Sequence, residues 1–267
     1  MKRDVKVLVG SGFAYNQADP GQVFLDVKTA DYPWKIFAGR IMFIGGQWIN
    51  KAWETDVNPR ETYVREVLEE ISFSRPKIST EEMAVLCPLV TTDSYIAPAI
   101  KGAPTAEDER HLTHVKASLV DPAHMCSFGD YHIRTPASLI QTLQPEYSGT
   151  DLTAVFSIFA VGLPPDEWDM LCDLQARFEN LSNESQSVVT SLKRILAGEI
   201  AFASGYDQIM QDFWIFKGLP GVEGMPTQKG VEVVRMGLAL GSYRDYLARY
   251  DVEKRPPVTE SLTPNLP

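Results

Sequence analysis

Residues 40–46, RIMFIGG, run apolar into paired glycines, and from Asn58 the stretch NPRETYVREVLEEI repeats its apolar residues at the period of a helix instead of a strand. A chain that changes period in this way has to set helices against a sheet, so the expected fold class is α/β. Other strand-like runs are VKVLV at 5–9, QVFLDVKT at 22–29, EMAVLCPLVT at 82–91, HVKASLV at 114–120 and LTAVFSIFAVGL at 152–163. From 165 the character becomes helical, in PDEWDMLCDLQARFENL, ESQSVVTSLKRILAG, GYDQIMQDFWIF and GVEVVRMGLALGSYRDYLARY. Residues 93–112 are polar and turn-rich and read as a long loop of the kind that covers sites.

With 267 residues, 44% hydrophobic and 22% charged, the chain can bury a sizeable core without staples. A net charge of -10 and a pI of about 4.9 disfavour a broad phosphate-binding surface, so long nucleic acid is a poor partner. A small anionic ligand held through a metal is compatible with that charge. Cys87, Cys126 and Cys172 lack CxxC spacing and read as free thiols in a reducing, cytoplasmic setting. No run is apolar for long enough to span a bilayer, and the start lacks a small-residue cleavage pattern, so neither membrane insertion nor export is expected.

The segment YVREVLEEISF, 63–73, carries Glu66, Glu69 and Glu70 close together. Asn58 is placed to cap the helix, with Pro59 at its first position and Glu61 three residues after the cap. At 100° per residue, Val64, Val67, Leu68 and Ile71 gather on one side and the three glutamates on the other. Such a stripe is either a solvated face of good helix formers or a cation site, since like charges at this spacing repel and a hard divalent ion reverses the sign.

The strand ending at Gly45 and Gly46, followed by REVLEEISF, resembles the signature of the Nudix hydrolases, which runs from a glycine through a glutamate to R-E-U-x-E-E-x-G-U, U being a bulky aliphatic residue. Arg65 and Glu66 match the R-E pair, Val67 the first U, Glu69 and Glu70 the E-E pair, and Phe73 falls near the last U. The place of the family's first glutamate holds Val57, its glycine is Ser72, and the interval from Gly46 to Arg65 is longer than the pattern. The resemblance implies that Glu66, Glu69 and Glu70 hold Mg²⁺ or Mn²⁺ against a diphosphate. Arg65 would orient one carboxylate, and Gly45 and Gly46 would form a turn carrying backbone over the metal. Asp56, Glu54 and, from the late segment, Glu199 are the candidates for a further carboxylate.

The fold so implied is a Nudix-like α/β/α sandwich with a mixed sheet, spanning 1–217 with the 93–112 loop inserted. A helical extension over 218–250 and a flexible tail over 251–267, rich in proline, follow it. The implied activity is metal-dependent hydrolysis of a nucleoside diphosphate linked to another moiety, a small nucleotide of the ADP-ribose or dinucleotide kind. The alternative is a Nudix-like nucleotide-binding sensor that does not turn over. Substrate-binding residues are not assigned, and dimers, common in the family, are a further expectation.

Other signals are weaker. Gly10 and Gly12 in VLVGSGF invite a dinucleotide-binding reading, but the third glycine is missing and FAYNQADPG is turn chemistry. His111, His114, His124 and His132 read as surface or loop histidines, since Pro122 and the strand-like VKASLV argue against one helix through HLTH. In GSYRDYLARY, Tyr243, Leu247 and Tyr250 fit the apolar face of a closing helix.

Overall fold

The computed structural model describes residues 3–28, 30, 37–48, 50–51, 54–73, 104–143, 151–178, 181, 186–227 and 229–252. In chain order the elements are β1 (Arg3–Val5), β2 (Val7–Asn16), β3 (Gln22–Val27), β4 (Ile41–Met42), β5 (Ile44–Gln47), β6 (Asn50–Lys51), β7 (Glu54–Thr55) and α1 (Pro59–Glu70). There follow α2 (Ala106–Val120), β8 (Met125–Thr135), α3 (Ala137–Leu143), β9 (Leu152–Leu163), α4 (Pro165–Arg177), β10 (Gln186–Ser191) and α5 (Leu192–Leu196). The chain closes with α6 (Tyr206–Phe216), β11 (Glu232–Gly237), α7 (Tyr243–Arg249) and β12 (Tyr250–Val252).

One mixed, open sheet runs β10-β3-β2-β9-β8-β11, with β4 beside β3 and β5 beside β2. Its centre is the parallel pair β2 and β9, in register from Val7 opposite Ala154 to Asn16 opposite Leu163. The other pairs in this sheet are antiparallel. β9 is apolar almost without interruption because both of its faces are covered.

Alternation along β2 divides the core. Phe13 points into a cluster with Phe43, Phe213, Trp214 and Ile195, so α5 and α6 cover that face. Ala14 points the other way, into a cluster with Tyr63, Val67, Leu112, Val115, Phe159, Trp168 and Leu171, where α1, α2 and α4 lie. Helices therefore cover both faces of the sheet, and each large apolar side chain so buried contributes about 1.5–3 kcal/mol relative to exposure. Among the described residues no helix is long and apolar enough to cross a membrane.

Several expected elements change type. HVKASLV is the end of helix α2, not a strand, and residues 106–112 of the expected loop are its beginning. The helix is nucleated by a capping box between Thr105 and Asp108, while Pro122 follows its C-cap Asp121 and so interrupts nothing. ESQSVVTSLKRILAG divides into strand β10, its β-branched run paired with β3, and the short helix α5. The span 218–250, expected to be helical, gives β11 to the main sheet against β8 before forming α7. Residues 251 and 252, expected as tail, extend a parallel pairing with β1. The strand expected at 82–91, Cys87, residues 93–103 and the remainder of the tail lie outside the described residues.

Asp108 does more than cap α2. Its carboxylate accepts from the Thr105 backbone N–H and hydroxyl, each at 2.8 Å, and from the Arg177 guanidinium of α4. The Thr105 backbone bond, helped by the hydroxyl and Arg177, holds its pKa below the usual carboxylate range. A depressed folded pKa stabilises above the unfolded value and loses that contribution as pH falls through the folded one. Asp108→Asn is expected to lower the melting temperature at pH 7, and the deficit should shrink below about pH 4, where the unfolded carboxyl titrates. Melting curves at pH 7 and pH 3 check this; an equal deficit at both would exclude the charge as the cause.

Candidate functional site

Helix α1 starts as its sequence dictates. Asn58 accepts from the Glu61 N–H at 3.0 Å, and the Glu61 carboxylate accepts from the Val57 N–H at 2.8 Å. The seat of the helix is set by glycines. A Cβ on Gly10 of β2 would fall 2.2 Å from the Pro59 carbonyl oxygen, and one on Gly12 would fall 2.7 Å from the Tyr63 ring. One on Gly46 of β5 would fall 2.0 Å from Glu66 Oε1. The Gly-x-Gly pair thus provides close helix-on-sheet packing. Gly45 and Gly46 are not a turn: they are strand residues opposite Ser11 and Gly10.

Because Pro59, Thr62, Tyr63 and Glu66 lie along this bed, the helix is rotated from the expected phase. Glu70 is buried at 7% exposure and Glu66 retains 14%, whereas Glu69 is 55% exposed. Val67 and Ile71 are buried, but Leu68 is half-exposed. Two of the three glutamates therefore face inward, and the stripe is not a single solvated face.

Arg65 organises the carboxylates. Its Nη1 donates to Glu66 Oε1 at 2.7 Å and to Glu69 Oε2 at 3.2 Å. Its Nε and Nη2 donate to Asp56 at 3.3 and 3.1 Å, and Nη2 also reaches the Gln47 carbonyl at 3.2 Å. Burial works against the guanidinium's charge, yet Asp56 and Glu66 beside it hold its pKa above the ordinary arginine value. Asp56, 7% exposed, also accepts from the Thr62 hydroxyl at 2.8 Å. Of the candidates for an added carboxylate whose side chains are described, Asp56 is the one that joins Arg65. Glu199 instead pairs with Arg194 at 2.7 Å, and Glu54 lies in β7, its backbone paired with Lys51, with its side chain outside the described residues. Val57, in the place of the family's first glutamate, is exposed and is held through its backbone, its carbonyl accepting from Tyr243 N at 2.9 Å.

The C-terminal helix borders this cluster. Tyr243 OH lies 2.6 Å from Thr62 Oγ1, and its ring stacks on Trp48 at 4.7 Å. Burial pushes the Tyr243 phenol above the ordinary tyrosine range. Tyr243 and Tyr250 are buried as expected, but the third inward residue is Tyr246, with Leu247 turned outward. Thr62 and Tyr243 were not marked as site residues by any motif; the one signal for Thr62 is its place on the same helix face as Pro59 and Glu66.

The remaining candidates lie elsewhere. His111 and His114 share helix α2, His114 and His124 sit 3.5 and 3.7 Å from the Glu167 carboxylate of α4, and His132 is in strand β8. Cys126 and Cys172 are free thiols.

Oxygen-only donors suit a hard cation such as Mg²⁺, and the Glu66 and Glu69 carboxylates already converge on one cationic nitrogen. Among the described residues, however, no group of three or more His, Cys, Asp or Glu side chains is assembled closely enough to hold a metal ion. No family model and no curated protein sequence matches the chain.

Proposed function

We propose that the protein is a metal-dependent pyrophosphohydrolase of the Nudix type, cleaving a small nucleoside diphosphate linked to another moiety. The observation that carries this reading is the Glu66 carboxylate set against Gly46, where no side chain intervenes, with Arg65 Nη1 bonded to it at 2.7 Å. Glu66, Glu69 and Glu70, with the Gly46 carbonyl, are the groups that would hold Mg²⁺ or Mn²⁺. The bound ion would neutralise phosphate charge and acidify a water. Arg65 fixes the Glu66 carboxylate by a charge-assisted bond, and Asp56 fixes Arg65 from behind. The burial of Glu66 and Asp56 strengthens these bonds by excluding water.

A second reading, nucleotide binding without turnover, is favoured by the exposed Val57 in place of a glutamate and by the sharing of Arg65 between Glu66 and Glu69. One assay separates the two: release of nucleotide and phosphate from a panel of nucleoside diphosphate compounds with Mg²⁺ or Mn²⁺. The Glu69→Gln/Glu70→Gln protein serves as control. Hydrolysis should fall at least about 100-fold in the control, the upper end of what loss of a metal site's supporting groups costs. Metal-dependent nucleotide binding with no turnover would establish the second reading, and neither binding nor turnover would exclude both.

A further inference from the structure

We infer that helix α7 positions the proposed hydrolytic site through Tyr243, by a directed chain of hydrogen bonds that ends on the Arg65 guanidinium. Thr62 Oγ1 has one proton, which it donates to Asp56 Oδ2 at 2.8 Å. Tyr243 OH, 2.6 Å from the same Oγ1, must therefore be the donor in that pair. Asp56 in turn accepts from Arg65 Nε and Nη2, and Arg65 Nη1 holds Glu66 and Glu69. Tyr243, Thr62 and Asp56 are all buried, so water does not replace a missing link, and bonds aligned in one direction polarise one another. Tyr243 grips the same segment twice more. Its N–H donates to the Val57 carbonyl, and its ring stacks on Trp48, whose indole N–H donates to the Asp56 carbonyl at 3.0 Å.

The same helix is anchored to the sheet by an independent set of bonds. Tyr246 OH contacts Asp130 at 2.9 and 2.8 Å and Ser157 at 2.8 Å, and accepts from Leu240 N at 3.0 Å. Loss of the Tyr246 hydroxyl removes these bonds while leaving its ring packed on Tyr243, 5.8 Å between centroids, and so weakens docking without breaking the chain to Arg65. Tyr243 and Tyr246 therefore distinguish positioning from mere attachment. The effect on turnover rests on the hydrolase reading; the effect on Arg65 does not.

The test uses the full chain labelled with ¹⁵N-arginine, with the Arg65 Nε–H resonance assigned by its loss in Arg65→Lys. In Tyr243→Phe, and equally in Thr62→Val, which cuts the chain at its middle, exchange of that Nε–H with solvent should rise about tenfold. The turnover number should fall by a similar factor at unchanged KM, the scale expected of a supporting partner. Tyr246→Phe should lower the melting temperature yet leave the Arg65 resonance and its exchange as in the parent. Unchanged exchange in Tyr243→Phe, or an equal change in Tyr246→Phe, would overturn the inference. A response at Arg65 in proteins that hydrolyse nothing would leave the positioning chain standing and remove the hydrolase reading.

Discussion

Gly10→Ala is expected to destabilise the protein by about 3 kcal/mol, the upper end of the usual cost of overpacking. The added Cβ would sit 2.2 Å from the Pro59 carbonyl oxygen and 2.8 Å from Thr62 Cβ. The nearest atom is helix backbone, which cannot rotate aside as a side chain does. Strand β2 cannot yield either, since Gly10 is paired with Ser157 of β9 on one side and Gly46 of β5 on the other. Helix α1 would have to lift, taking Glu66 away from Gly46. Denaturant titration of Gly10→Ala against Gly224→Ala, whose Cβ meets nothing within 4 Å, measures the effect. A midpoint shift no larger than that of the control would mean that α1 is not seated on β2. Gly46→Ala makes a useful contrast, because its Cβ strikes the end of the Glu66 side chain, which can swing away. That variant should fold and lose whatever Glu66 does.

The same glycines show what was legible in the sequence. The N-terminus of α1 could be read from Asn58, Pro59 and Glu61, because a cap is a local interaction. Helices α4 and α6 and strand β9 could be read from their periodicity, since each presents a long apolar face or run. The phase of α1 could not, because the aliphatic residues alone suggested it, whereas a bed of glycines lets Thr62, Tyr63 and Glu66 face the sheet instead. Strands β8, β10 and β11 were missed for a related reason. Their pairing partners are distant in sequence, and β8 carries Asp130 and His132 on positions that a local hydrophobic pattern discounts. Asp56 stands out in the sequence only for lying beside Val57, and Tyr243 only as one residue of an apolar helix face. Tyr243 meets Thr62 across 181 positions, a separation that no spacing rule reaches.

Arg65→Met should produce the other large effect, and a signed one. The guanidinium is 13% exposed and is shared by Asp56, Glu66 and Glu69, the first two also largely buried. Removing one partner from a buried ion pair costs about 3–5 kcal/mol, because the remaining charge loses its compensation. Carboxylates crowded together without their cation bind protons more tightly folded than unfolded. The variant's deficit relative to the parent should therefore be smallest in acid and grow as pH rises from the ordinary carboxylate range, around pH 4, through the raised folded values of these groups. Denaturation at pH 4 and pH 7.5 reads this directly, and a deficit independent of pH would mean that lost packing, not charge, is responsible. Adding Mn²⁺ extends the test to the proposed site. An ion that occupies the carboxylates in the guanidinium's stead stabilises the folded state by about 2.7 kcal/mol at 100 times its dissociation constant. Mn²⁺ should then raise the melting temperature of Arg65→Met more than that of the parent, in which Arg65 already neutralises Glu66 and Glu69. A pH slope with no Mn²⁺ stabilisation of either the variant or the parent would identify a charge cluster that stabilises the fold and does not hold a metal, which would remove the chemical basis of the hydrolase.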